Sequence, residues 1–490
     1  MINFKSKKNI IIISSTIVVV TLIISLFVIN NKQAKIDIAF VNIDEPLMEG
    51  KYSTFLNENK DLLNNTTNKK YTYDATKFIG DKQLTLEDNN INTYTLNEGE
   101  SFNVNVNVDK LGLYKLNLSY YLLTDEYGSN EISVSVDDAC QYDEARQITL
   151  QEEWVDDNEV SYDRYGNDSL PEQIKQKVLL SYTLRDSSKL YDEGLYFKLK
   201  SGDNKITISS VQGDVKIASL TLIQDGKLIS YNDYFKGEVE DSTYVTTYEA
   251  EDYVSKNSSS IQKGSSSDVN VTPFSTYRNK LNVIGDSSFN EAGNRVDYTV
   301  DVLKEGYYYI TVKALQTEKN TTSYRTIYIN DTVPFLEAYQ IPFSYDSSWQ
   351  NVTLGALDGT PYAFYLNKGI NKISFEVNAS KMRVINEKLS KLSTEMNQLG
   401  LEVTRVTGNS KDSEIDWDMS EHFPNIEQTF ANWIKEINEI LAYLKNANGY
   451  EGKSYLTSDI STALSNIEKL ANDINKLPTR LTLLSSGSSC

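Results

Sequence analysis

The sequence predicts a mainly β chain: two antiparallel β-sandwiches, then an antiparallel three-helix bundle, with one transmembrane helix in front. Three observations lead there. Residues 246–378 alternate apolar and polar side chains in short runs, such as Arg295-Val-Asp-Tyr-Thr-Val-Asp-Val302 and Gly306-Tyr-Tyr-Tyr-Ile-Thr-Val312, separated by Gly or Asn-Asp turns. Residues 70–225 repeat that pattern with the turn glycines in register. From Ser380 onward the apolar period changes from two to seven.

The N-terminal element is an anchor. Lys5, Lys7 and Lys8 precede an uncharged run, residues 10–29, that is long enough to cross the hydrocarbon core as a helix. A cleaved signal peptide competes. Its apolar core would be shorter and end in a small-x-small site, whereas Asn30-Asn-Lys-Gln-Ala34 places Lys where that site should be. The basic tip, residues 1–9, stays cytoplasmic. The bulk of the chain is therefore expected outside the cell membrane, held by a single pass. Residues 30–69, rich in Asn, Lys and Thr, read as a stalk or as an arm packed on the first domain.

The first sandwich, residues 70–225, can be laid on the second, residues 246–378, with residues 226–245 as linker. Gly99 matches Gly293, and Phe102, Val104, Val106 and Val108 match Val296, Tyr298, Val300 and Val302. Gly112-Leu-Tyr114 matches Gly306-Tyr-Tyr308, and Phe197, Leu199, Gly202, Asn204 and Ile206 match Phe364, Leu366, Gly369, Asn371 and Ile373. Chance alternation would not also align the turn glycines, so the chain carries a duplication. The copies differ twice. The first carries an extra segment, residues 152–192, with Trp154, Tyr162, Tyr165, Tyr182 and Tyr191; a loop this long in a compact domain is usually functional or mobile. It also ends in a further strand, Val215-Lys-Ile-Ala-Ser-Leu-Thr-Leu-Ile223, with no counterpart in the second copy before the helical pattern begins.

Three amphipathic helices follow in residues 380–478. Met382, Ile385, Leu389, Leu392, Met396 and Leu399 recur at intervals of three and four; so do Phe423 to Leu444 and Ile460 to Leu477. Gly408, Asn448-Gly449 and Pro478 are the expected stops. Helices this short suggest an intramolecular bundle more than a coiled-coil surface. Residues 479–490 read as a truncated tail, the bundle as an insertion within the second sandwich, and the closing strand of that sandwich as lying beyond residue 490.

Composition limits the partners. The 490 residues carry 48 Lys+Arg against 68 Asp+Glu, a net charge of −20, which repels a phosphate backbone and makes nucleic acid an unlikely ligand. Two cysteines and one histidine exclude a disulfide framework and any multi-histidine metal site. There is no Ser-His-Asp set, phosphate-cradling Gly loop or metal-ligand cluster, so no enzyme is expected within these residues. The 33 tyrosines suit strands and offer flat faces with polar tips, able to stack on sugar rings.

The second copy resembles the calcium-dependent carbohydrate-binding modules of the galactose-binding-like jelly-roll superfamily. The resemblance is carried by Tyr248-Glu-Ala-Glu251, Gly293-Asn-Arg-Val-Asp-Tyr-Thr-Val-Asp-Val, Glu305-Gly-Tyr-Tyr-Tyr, Ser348-Trp349 and Lys368-Gly-Ile-Asn-Lys-Ile. It implies that Glu249 and Glu251 help hold a structural calcium, a hard ion that takes several oxygens; the same glutamates also read as a solvated strand end. The first copy has Tyr73-Asp-Ala-Thr76 there, one carboxylate fewer. Tyr277, Trp349 and Tyr362 are candidate sugar-stacking residues, or equally core and rim packing.

The whole arrangement also resembles the N-terminal half of surface-bound, extracellular solute-binding proteins of ABC sugar importers. Tyr142-Asp-Glu-Ala-Arg-Gln-Ile-Thr-Leu, Tyr165-Gly-Asn-Asp, Leu184-Arg-Asp and Gly194-Leu-Tyr-Phe carry that resemblance. It implies a non-catalytic, membrane-anchored protein that captures carbohydrate for uptake, with ABC permease subunits as partners. Two other readings stay open: the accessory region of a cell-surface glycoside hydrolase, and a structural or adhesive stalk. A two-lobed α/β domain following in the gene would favour transport and a catalytic fold hydrolysis, while sugar binding itself separates both from the stalk.

Overall fold

The computed structural model describes residues 48–64, 68–87, 90–123, 128–157, 161–239, 244–410, 412, 414–450 and 452–488. The expected membrane span, residues 10–29, lies outside them, and no helix among the described residues is long and apolar enough to cross a membrane. The helices are α1 (Tyr52–Glu58), α2 (Tyr231–Tyr234), α3 (Arg383–Thr407), α4 (Met419–His422), α5 (Ile426–Asn448), α6 (Tyr455–Ala471) and α7 (Leu481–Ser488).

The first sandwich is complete. One sheet runs Phe78–Ile79, Ser101–Val108, Gly202–Gln212, Glu131–Val136, Ile148–Thr149. The facing sheet is built around Val215–Gln224, which pairs antiparallel with Gly112–Leu122, with Ile91–Leu96 and with Lys69–Asp74. The period-two pattern puts Val104, Val106, Leu116, Leu118, Ile206, Ile217 and Leu220 into one buried core. Helix α1 packs on that core through Tyr52 and Phe55, whose rings lie 4.7 and 4.9 Å from Tyr142. Residues 52–64 of the segment before residue 69 are thus packed on the first sandwich.

The duplication extends to details that alternation alone does not require. Asn204 accepts from Lys200 N and donates to the carbonyls of Lys200 and Gly202; Asn371 makes the same three bonds to Asn367 and Gly369. Each copy also turns on two residues in the left-handed region, Asp137-Asp138 (φ 50° and 66°) and Asn330-Asp331 (φ 50° and 62°). Asn and Asp are the non-glycine residues that tolerate this conformation best.

The second sandwich keeps one sheet whole and breaks the other. Ser255–Lys256, Arg295–Val302, Gly369–Asn378, Thr322–Ile329 and Ile341–Ser344 form the intact sheet, and the first copy lengthens it. Trp154–Asp157 of the extra segment pairs with Glu172–Lys175 and lies beside Lys256, so this ribbon continues the second sandwich's sheet. The facing layer is three separate two-stranded ribbons: Lys263–Gly264 with Val283–Ile284, Gly306–Tyr309 with Ala363–Leu366, and Thr311–Ala314 with Gln350–Thr353. Tyr248–Glu251, expected as a strand, is irregular here. Its counterpart Lys69–Asp74 pairs only with Val215–Gln224, and among the described residues the second copy has no strand in that place.

The helical region differs from a three-helix bundle with a loose tail. Helices α3 and α5 stop at Gly408 (φ 59°) and Gly449 (φ 70°), as their sequences require. Helix α6 opens with a capping box, Ser454 with Thr457, and ends at Ala471; Pro478 sits inside a 3-10 turn, Ile474–Arg480. Then α7 forms from the residues read as a tail, because Leu484 is buried in the bundle core with Val403, Ile467 and Leu470.

Candidate functional site

The extra segment of the first copy is a bracket rather than a free loop. Arg185 pairs with Glu376 across the two sandwiches. Asp192 accepts from Asn378 Nδ2 (2.6 Å) and Gln340 Nε2 (3.0 Å), and the Arg383 guanidinium of α3 lies over the Tyr191 ring at 4.6 Å. Asp156 holds the buried Lys256 ammonium at 3.2 Å and accepts from Tyr253 Oη at 3.1 Å. Burial pushes Lys256 below its ordinary value, and Asp156 opposes that shift.

The tip of this segment, the hairpin Ser161–Tyr162 with Asp168–Ser169, docks on the loop of residues 277–281. Asp168 N donates to Asn279 O, Asn279 N to Asn167 Oδ1, and Leu281 N and Lys280 Nζ to the Asp168 carboxylate. Gly166 (φ 78°) lies under Arg278; a Cβ there would come 3.1 Å from the guanidinium. Around these interlocked loops three tyrosines stay in solvent: Tyr277 is 94% exposed, and Tyr162 and Tyr165 are 66% each. Cations flank them, Lys280 Nζ 5.1 Å from the Tyr162 ring and Arg164 4.5 Å from the Tyr165 ring. An exposed aromatic ring on a hydrogen-bonded mount can stack on a ligand with little ordering cost.

The other sequence candidates fall elsewhere. Trp349 is half-buried just before Gln350–Thr353. Tyr362 is half-buried, 4.4 Å from Tyr231 of α2 and 5.5 Å from Phe335, packed against the core around Phe364. Among the described residues no ring contact joins Tyr277, Trp349 and Tyr362. Tyr162 and Tyr165 were visible in the sequence as aromatics of an overlong segment, but nothing local showed that their hairpin bonds to the loop that carries Tyr277.

Glu249 is half-buried and accepts from Thr272 Oγ1 at 3.1 Å. Glu251 is 4% exposed, and burial, with Glu249 and Asp252 adding like charge, pushes its carboxyl up to about 7. Among the described residues no group of three or more His, Cys, Asp or Glu could hold a metal ion. Two carboxylates fall short of the six to eight oxygens calcium takes, so these residues do not fit the ion by themselves.

Two concavities complete the surface. A cleft of about 380 Å³ in the first sandwich is lined by Asp74, Thr76, Asn90, Asn92, Ser119 and Ser219, the position matching Glu249 and Glu251 in the other copy. A second, about 470 Å³, lies between α3, α5 and α6 against Leu389, Ser393, Met396, Ile437 and Ile460.

Residues 384–490 match the family model described as the bacterial solute-binding protein, 4-helix bundle domain. Among solved structures, the chain is similar to the native family 35 carbohydrate binding module from Clostridium thermocellum (12% identity, 32% of this chain and 99% of that one, TM-score 0.22). Others are the CBM35 from Cellvibrio japonicus Abf62 (11%, 32% and 95%, 0.21) and a ruminal GH26 endo-β-1,4-mannanase (16%, 38% and 31%, 0.20). No curated protein matches the chain.

Proposed function

We propose that this chain is a non-catalytic carbohydrate-binding component of the cell surface that presents sugar for uptake, anchored through residues 10–29 and working with ABC permease subunits. The observation that carries the binding reading is Tyr277, 94% exposed on a loop hydrogen-bonded to the hairpin that bears the exposed Tyr162 and Tyr165. Flat rings with polar tips suit the apolar face and the hydroxyl rim of a pyranose. The family model over residues 384–490, whose description names solute binding, supports the uptake setting. Calcium enters this reading only as an ion that would draw on Glu249 and Glu251 and take its remaining oxygens from elsewhere.

Titration of residues 31–490 with a panel of plant and host oligosaccharides, followed by calorimetry, tests the reading. Saturable binding lost in Tyr277→Ala and weakened in Tyr162→Ala supports it. Binding that survives both but is lost in Asp74→Ala or Asn92→Ala moves the site to the first-module cleft. No binding to any sugar by a folded protein leaves a structural stalk.

A further inference from the structure

The second sandwich has an open strand position, and the first sandwich shows what fills it. In the first copy Val215–Gln224 joins three strands: it pairs with Gly112–Leu122 from Val215 opposite Leu122 to Ile223 opposite Lys115, with Ile91–Leu96, and with Lys69–Asp74. In the second copy the counterparts of Gly112–Leu122 and Lys69–Asp74 are residues 306–314 and the irregular stretch Tyr248–Glu251, and residues 285–290, in the place of Ile91–Leu96 by the alignment of Gly99 with Gly293, hold the 3-10 turn Asp286–Ser288. None of them is paired with another. Among the described residues, 306–314 carry ladder partners on one edge alone, Ala363–Leu366 and Gln350–Thr353. An unpaired edge of this length is a template for one more strand.

Burial points the same way. Leu116, Leu118 and Tyr120 are fully buried beside their sheet neighbour Val215–Gln224, whereas their counterparts Ile310, Val312 and Ala314 are half-buried. Lys115 is 8% exposed and Tyr309, in its place, 50%. The first sandwich has a single core that includes Val215, Ile217, Leu220 and Leu222. The second has two, one around Phe364 and one around Tyr253, meeting only at the half-buried Phe375. The helical bundle follows Gly369–Asn378 where the first copy has the turn Gly213-Asp214 leading into Val215–Gln224, which is why no strand of the described chain reaches the slot.

We infer that the edge formed by residues 306–314 is a docking site for an extended peptide segment of about ten residues, antiparallel to it, with aliphatic side chains at alternate positions. By the register of the first copy, its residues in the places of Leu220 and Leu222 lie opposite Val312 and Ile310, and its residue in the place of Ser219 lies opposite Lys313. Such a strand merges the ribbons into one sheet, covers Ile310, Val312 and Ala314, and gives Tyr248–Glu251 a partner. Its main-chain bonds supply affinity and its alternate side chains specificity.

The probe is a capped synthetic peptide with the sequence of Val215–Gln224, added to the full chain in detergent and followed by amide hydrogen exchange. The expected result is one peptide bound per chain, with exchange at residues 306–314 slowed about tenfold or more while residues 112–122 are unchanged. A peptide carrying Asp for both Leu220 and Leu222 should not protect that edge. Absence of binding to the folded protein, or binding without protection of residues 306–314, overturns the inference. So does an edge already protected in a protein that sediments as a dimer, since a second copy then fills the slot.

Discussion

Arg185 Nη1 lies 2.5 Å from Glu376 Oε1, joining the extra segment of the first sandwich to the central strand of the second, and both side chains are almost wholly withdrawn from water. Tyr328 Oη also donates to Glu376, at 3.3 Å. Removing either partner strands a buried charge. Glu376→Ala or Arg185→Ala should each cost about 3–5 kcal/mol in chemical denaturation, while Arg185→Met with Glu376→Leu should cost much less. A double variant that loses the sum of the two single losses would show that the pair does not work as a unit.

The Glu251 carboxyl, raised to about 7 by burial, gives a pH signature with a defined sign. Between the ordinary glutamate value and about 7 the folded state keeps a proton that the unfolded chain has lost, so stability from this group falls as pH rises through that window and levels off above it. Thermal melting of wild type and Glu251→Gln from pH 4 to 8 should show the variant gaining on wild type across the window. A constant difference would mean that Glu251 ionises normally.

Gly166 holds its left-handed conformation beneath Arg278. Gly166→Val should strain the turn by roughly 1–2 kcal/mol and push the residue 277–281 loop away. Sugar affinity should fall although every tyrosine is intact. Tyr277→Ala, at an exposed site, should leave the melting temperature nearly unchanged, within about 0.5 kcal/mol.

The bundle is tied to the second sandwich through carbonyls at the end of α5. Tyr324 Oη donates to Ala447 O (2.6 Å) and Thr322 Oγ1 to Asn448 O (2.7 Å), satisfying groups that the helix itself leaves unpaired. Tyr324→Phe removes one of these buried bonds and should cost about 1–3 kcal/mol. The loss should appear as faster exchange near the α5–α6 turn.

Much of this architecture was legible in the chain. Period-two alternation with glycines in register gave the duplicated strands, and Gly408 and Gly449 gave helix ends, because each is a local requirement of backbone geometry. The absent strand was legible too, since Val215–Ile223 has no second copy. Its consequence for Tyr248–Glu251 was not: whether that stretch forms a strand depends on a partner more than a hundred residues away in the first copy's pairing, and local alternation is blind to it. For the same reason the packing of Tyr362 against Tyr231 was not legible in the sequence. Leu484 looked like a tail because the eight residues of α7 are too short to announce a helix without the core they enter.

The ribbon Trp154–Asp157, shared between modules, also sets an order of events during synthesis. It leaves the ribosome well before Lys256, its neighbour in the finished sheet. About a hundred residues separate them, so at roughly 5–20 residues per second the nascent chain carries an unpaired edge for about 5–20 seconds. The first module can mature alone; the second cannot finish its sheet without it. A chain released early would therefore expose that edge to neighbouring chains, one whose first module is deleted would expose the Ser255–Lys256 edge instead, and both would draw on chaperones, whatever the ligand-binding surface looks like.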